Sequence, residues 1–226
     1  MLKHRNLGFL AVGLAAAFIL PWAPQGQTPA GAPPTPLDSA VYALDPASVL
    51  LVHAGKSGLL SGLGHEHQVR AHAFSGTVVY FPRDVGRSRV TVTVLTDSLR
   101  VVPEADSADI PKITETMRTK TLRVDSFPEI AFVSGEVTPI DGGAGEAAAA
   151  AGQRAVRVGG DLTMVGRTRP VSVDLTLEVA GDTLRAEGSF VVKQTDFGIK
   201  PYTTALGLVK VKDQVRFELR VVGVTR

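Results

Sequence analysis

Three of the chain's five histidines, His65, His67 and His72, crowd into residues 59–72 (LLSGLGHEHQVRAH), beside a glycine-rich turn. In an extended strand His65 and His67 point to one face, and an H-x-H pair of this kind supplies two imidazole ligands for zinc, copper or nickel. A third ligand would have to come from His53, His72 or a carboxylate such as Glu66 or Asp196, and Glu66 leaves the shared face if the strand is regular. Two other chemistries fit the same residues. Neutral imidazole offers one donor and one acceptor, which suits loop backbone or a polar group of a bound ligand, and its pKa suits proton transfer. His65 and His67 are therefore taken as ligand-contact positions, with a divalent metal on the same pair as the alternative.

No further catalytic group emerges, and the chain is not expected to be an enzyme. There is no cysteine, so thiolate catalysis, thiolate ligands and disulfides are all excluded. A G-x-S-x-G nucleophile elbow is absent. Gly55-Lys56-Ser57-Gly58 carries the letters of a phosphate loop without its upstream glycine spacing, which makes Lys56 a solvated loop residue. Asp196-Phe197-Gly198 matches a kinase magnesium motif by letters alone, because no glycine-rich loop or catalytic loop accompanies it.

The elements that must position these groups are strands. Residues 171–179 (VSVDLTLEV) alternate apolar and polar without a break, and residues 90–94 (VTVTV) and 215–221 (VRFELRV) repeat the pattern. Residues 48–53, 68–81, 129–137, 154–164 and 184–193 complete about eight strands. Gly166 is placed as a hairpin turn with Arg167 and Arg169 solvated beside it, and residues 141–153 (DGGAGEAAAAAGQ) as a solvated loop. Residues 107–122 depart from strand period, since Ile110, Ile113 and Met117 recur at helical spacing with Pro111 tolerable in a first turn. The threonines weaken its helix propensity, so packing must hold it. Eight half-apolar strands cannot stay an open sheet and must close as a barrel or stack as a sandwich. A barrel of that size is either filled by side chains or just able to hold one slender ligand.

The termini of this plan are set by charge and composition. Lys3 and Arg5 precede an apolar stretch at residues 7–20, the pattern of a signal peptide or, lengthened through Pro21 to Ala23, of an N-terminal anchor. Residues 1–24 are assigned to it, residues 25–40 to a proline-rich linker and residues 41–226 to the folded domain, facing the periplasm or another exported space. Removing Lys3 and Arg5 from the 24 basic residues leaves 22 against 22 acidic ones. The basic pI is a property of the targeting end, and no phosphate-binding stripe for nucleic acid remains.

Residues 125–134 (DSFPEIAFVS), 162–171 (LTMVGRTRPV), 195–199 (TDFGI) and 209–217 (VKVKDQVRF), in this order and spacing, resemble the YceI-like family of exported lipid-binding proteins. Residues 42–53 (YALDPASVLLVH) are similar to that family's first strands. The resemblance implies an all-β, extended lipocalin-like antiparallel barrel with one short helix and a long apolar cavity for a polyisoprenoid-type chain. The partner expected from it is an isoprenoid or other long-chain lipid of polyprenyl or quinone type, with membrane association through the N-terminus. The residues proposed to line or close the cavity are Phe74, Phe81, Phe132, Phe197 and Leu206, with Lys200 and Tyr202 joining the histidines at a head group.

Overall fold

The computed structural model describes residues 39–57, 67–103, 110–141, 152–204 and 209–226. The assigned targeting segment, most of the linker, His65, Glu66, Leu206 and most of the 141–153 loop lie outside the described residues.

Alternation is realised as strands throughout. In chain order these are β1 (Ala40–Leu44), β2 (Val49–Ala54), β3 (Lys56–Ser57), β4 (His67–Arg70), β5 (Phe74–Tyr80), β6 (Arg89–Leu95), β7 (Arg100–Val101), β8 (Glu129–Pro139), β9 (Gln153–Met164), β10 (Arg167–Ala180), β11 (Thr183–Lys193), β12 (Thr203–Thr204), β13 (Val209–Val211) and β14 (Gln214–Thr225). Eight of them close antiparallel in the order β1, β5, β6, β8, β9, β10, β11, β14, with β14 returning to β1 through Tyr42 opposite Thr225 and Leu44 opposite Gly223. Closure removes the sheet edges.

The first three barrel strands bend partway along, and buried hydroxyls pin each bend. Past Leu44 the chain turns at Asp45 and resumes as β2, which takes over the edge of β14 from Arg216 to Arg220. Ser48, 1% exposed, donates to the Val222 carbonyl and accepts the Val222 N–H. The Ser98 hydroxyl accepts the Ala73 N–H where β4 passes into β5. Thr96, where β6 passes into β7, donates its hydroxyl to the Phe127 carbonyl at 2.8 Å and its N–H to that of Pro128. Beyond these bends β2, β4 and β7 extend one side of the wall from β14.

The segment with helical spacing forms α1 (Ile110–Thr116), which continues in wider π-type turns over Met117–Leu122 and ends with Arg123 in the left-handed conformation. Pro111 occupies its first turn, as a missing N–H permits. α1 lies beside β7, and its Ile113 and Thr116, with Met117 of the following turn, line the barrel interior. The segment joins the core through those π-type turns, where Leu122 is buried and Met117 packs against the same cluster.

The β9–β10 hairpin turns on Val165 (φ 49°) and Gly166 (φ 71°) between the paired Met164 and Arg167. Two positive φ values are those of a type I′ turn, which matches strand twist. The expected turn at Gly166 is therefore present, and Arg167 and Arg169 are exposed beside it. Val165 accepts a conformation rare for a β-branched residue, and its side chain is buried in the core.

Candidate functional site: a blind apolar chamber

Inward positions behave differently at the two ends of the barrel. At one end Tyr42, Val78, Tyr80, Val137, Val156, Val158, Leu177 and Leu184 are all buried and touch across the axis as one cluster. Burial, then the proximity of Tyr80 and of Asp182, pushes the Tyr42 phenol above its usual pKa, so this plug stays neutral. Toward the other end inward residues of β2, β6 and β14 such as Val52, Val92, Val94, Phe217 and Leu219 are only half-buried. Apolar side chains that face inward and still keep free surface must face a space. The space is a cavity of about 740 Å³, within the range of small-molecule sites.

Its wall is built by the strand period. Leu50, Val52 and Ala54 of β2, Val92 and Val94 of β6, Ile130 and Phe132 of β8, Val171 and Val173 of β10, and Phe217, Leu219 and Val221 of β14 are alternate residues of their strands, and all line it. Along β14 the lining runs from Val215 to Val221, roughly 20 Å of strand at about 3.3 Å per residue. Phe190 and Phe217, paired across β11 and β14, stack with centroids 4.9 Å apart and 12° between planes. Gly160 on β9 faces Phe132. A Cβ there would lie 2.8 Å from the Phe132 ring tip and 2.7 Å from the Ser134 Cα, so glycine leaves the berth that ring occupies.

Polar groups gather at the open end. Lys56 and Lys210 on the small sheet of β3, β13 and β12, Lys112 and Thr116 on α1, His67 on β4, and Tyr202 border the cavity there. Gln194 is buried, its side-chain amide donating to the Lys212 carbonyl at 2.8 Å. The turn over Gln194–Phe197 is tied by Asp213, whose carboxylate accepts the Thr195 N–H at 2.9 Å and the Thr195 hydroxyl at 2.7 Å. The Thr195 hydroxyl first, and then the Thr195 N–H, hold the Asp213 carboxyl below its ordinary value.

The structure brings some of the expected site residues together and separates others. Among those described, His67, Phe132 and Tyr202 line the chamber. Phe74 packs against the core cluster at that end without lining the cavity, and Phe197 is 1% exposed within the same cluster. β10 and β11 are paired only as far as Asp174 and Ser189, and Phe197 borders the surface groove where they part. Phe81 sits under the Arg87 guanidinium, 4.2 Å from its centroid, and Lys200 is exposed away from the lining.

The histidines separate by strand parity. His67 lies opposite Ala54 and faces inward, whereas His53 lies opposite Arg216 on the outer face. There His53 Nε2 meets the Glu218 carboxylate at 2.8 Å. A carboxylate can only accept, so Nε2 carries the proton. His72 and Asp196 are exposed. Among the described residues no three His, Asp or Glu side chains converge as metal ligands do.

Sequence reading placed Lys56 in a solvated loop, but it lies on β3 in the cavity wall. It also passed over Lys112, Lys210, Phe190 and Phe217. Strand alternation carried a signal for the two phenylalanines, which share the inward phase of Val192 and Val215. No pattern marked Lys56 or Lys210, because β3 and β13 are too short to show a period.

Comparison with known proteins agrees with this architecture. BcnA of Burkholderia cenocepacia shares 19% identity at a TM-score of 0.60, with 79% of this chain and 98% of that one covered. A polyisoprenoid binding domain from Saccharophagus degradans implicated in plant cell wall breakdown shares 14% identity at a TM-score of 0.58, covering 83% and 99%. The YCEI protein of Campylobacter jejuni shares 13% identity at a TM-score of 0.52, covering 70% and 84%. No curated protein matches the sequence. These likenesses establish the fold, and the YceI-like domain profile matches residues 42–223. By that match, over most of its length and across every strand that walls the chamber, the chain belongs to the YceI-like domain family.

Proposed function

We propose that this protein is an exported, non-enzymatic binder and carrier of one amphiphilic isoprenoid lipid, whose chain lies in the blind chamber with its head at the open end. The observation that carries the reading is the chamber itself: continuous, apolar, about 740 Å³ and reaching from Val92 and Val221 out to Lys56 and Tyr202. Each methylene buried there contributes about 0.8 kcal/mol, less the entropy of straightening the tail. The polyisoprenoid binding domain among the structural relatives supports the class of chain. Export rests on Lys3, Arg5 and the apolar residues 7–20. His67 and Tyr202 are assigned to the head group and Phe132 to the chain.

The test is to purify the full protein from its native envelope without detergent, extract it with organic solvent and identify the extract by mass spectrometry. The expected result is a polyprenyl-bearing lipid in about equimolar amount. Lipid-free protein that also fails to take up added geranylgeraniol would overturn the proposal.

A further inference from the structure

The outward charges of the barrel are sorted by strand. On β14 the inward phase belongs to Val215, Phe217, Leu219 and Val221, which line the chamber, so Arg216, Glu218 and Arg220 face out. Register carries this outer face onto the neighbouring strands. Arg185, Glu187 and Lys193 of β11 lie opposite Val222, Arg220 and Gln214. On the other side Leu51 of β2 lies between Glu218 and Arg70 of β4, and Arg70 lies opposite Arg100 of β7. These five adjacent strands turn six exposed cations outward, Arg70, Arg100, Arg185, Lys193, Arg216 and Arg220, against two carboxylates, Glu187 and Glu218. The outward strand positions of β8, β9 and β10 show the reverse. They hold Glu129, Glu136, Asp161, Asp174 and Glu178 with one cation, Arg157, which pairs with Asp174 at 2.6 Å. Apart from Lys3 and Arg5 the chain carries equal numbers of acidic and basic residues, so the sorting does not reflect a bulk excess. The Glu218 carboxylate is shared by His53 at 2.8 Å, Arg220 at 3.5 Å and Arg216 at 3.8 Å. Among the described residues Arg70, Arg100, Arg185 and Lys193 enter no ion pair.

From this arrangement we infer that the cationic arc of β11, β14, β2, β4 and β7 is a docking surface for an anionic lipid bilayer. It lies on the outer wall, and it holds whatever occupies the chamber. Guanidinium forks pair bidentately with lipid phosphates. Between the cations stand Val49, Leu51, Val191, Val222 and Val224, of which Val191 is 55% exposed. Aliphatic side chains among basic ones suit the head-group layer, where apolar burial and charge attraction act together. A single-stranded nucleic acid would call for aromatic platforms under its bases, and no aromatic residue occupies an outward position of these strands. Like-charge repulsion turns the acidic outer face of β8, β9 and β10 away from the bilayer, which selects one orientation of the barrel.

Co-sedimentation of the full protein with vesicles tests the inference, comparing equal parts phosphatidylglycerol and phosphatidylcholine with phosphatidylcholine alone. At low salt the anionic vesicles are expected to bind at least about 10-fold more tightly, and the preference should fade at high salt. An Arg70→Gln, Arg185→Gln double variant should lose about 10-fold in affinity for the anionic vesicles, as expected for two basic residues at a charged surface. An Arg89→Gln, Arg157→Gln double variant loses the same charge from β6 and β9 and should bind as the parent does. Lys3 and Arg5 are common to all these proteins, so the difference between the two variants reports the barrel wall alone. Matching thermal midpoints show that both variants fold. Equal losses in the two double variants would overturn the inference and assign the attraction to net charge. Absence of any preference for the anionic vesicles would overturn it outright. Soluble poly-glutamate bound as tightly as the anionic vesicles would overturn it in favour of an acidic protein partner.

Discussion

The ring of Phe190 lies almost parallel to that of Phe217, 4.9 Å away on the neighbouring strand, and both line the chamber. Each ring is therefore partly covered by its partner and by the core cluster, and part of its surface faces the cavity. Phe217→Ala is expected to lower stability by about 2 kcal/mol, less than for a fully buried phenylalanine. It should weaken geranylgeraniol binding several-fold, as read by denaturant titration and calorimetry on the same preparation.

The inner end of the chamber can be shortened without touching its mouth. Val92 lines the cavity and belongs to neither buried cluster, so Val92→Phe would grow into empty space. Overpacking strain should be absent, and stability should change by no more than about 1.5 kcal/mol. Competition among farnesol, geranylgeraniol and a longer homologue should show the preference moving toward the shorter chain. An unchanged order of preference would mean that chains do not reach β6.

A third expectation concerns the β9–β10 turn. Gly166 has φ of 71°, and a Cβ there would lie 2.6 Å from the Phe127 ring. Gly166→Ala meets both conformational strain and that contact, and should cost at least about 1 kcal/mol. Thermal unfolding of the two proteins side by side checks it, and equal midpoints would contradict the turn geometry.

Acid should loosen the Gln194–Phe197 turn. The folded-state pKa of Asp213 is lowered, chiefly by the Thr195 hydroxyl. Its contribution is accordingly full above the ordinary carboxylate pKa and is lost as pH falls through the lowered folded value. Asp213→Asn should be less stable than the parent at neutral pH, and the difference should narrow as the solution is acidified below the ordinary carboxylate range. Urea midpoints measured across that interval give the comparison.

Much of the barrel was legible because its strands repeat one rule. Residues 171–179 alternate in sequence, and in the fold Val173 and Leu177 are buried while Ser172, Asp174 and Thr176 are exposed. Residues 110, 113 and 117 showed the helix for the same reason, through a period. Pattern fails where an element is too short to have one, as with Lys56 on β3 and Lys210 on β13. It fails too where a residue leaves its strand: Phe197 follows β11 into a tight turn and packs in the core. Whether an inward residue meets another wall or open space depends on the far side of the barrel, which alternation along one strand does not encode. That is why Tyr42 in the plug and Phe217 in the chamber read alike in sequence.

The plug of Tyr42 and Tyr80 has a logistical consequence. With that end of the barrel filled, a chain seated in the chamber as proposed could not thread through the barrel from one end to the other.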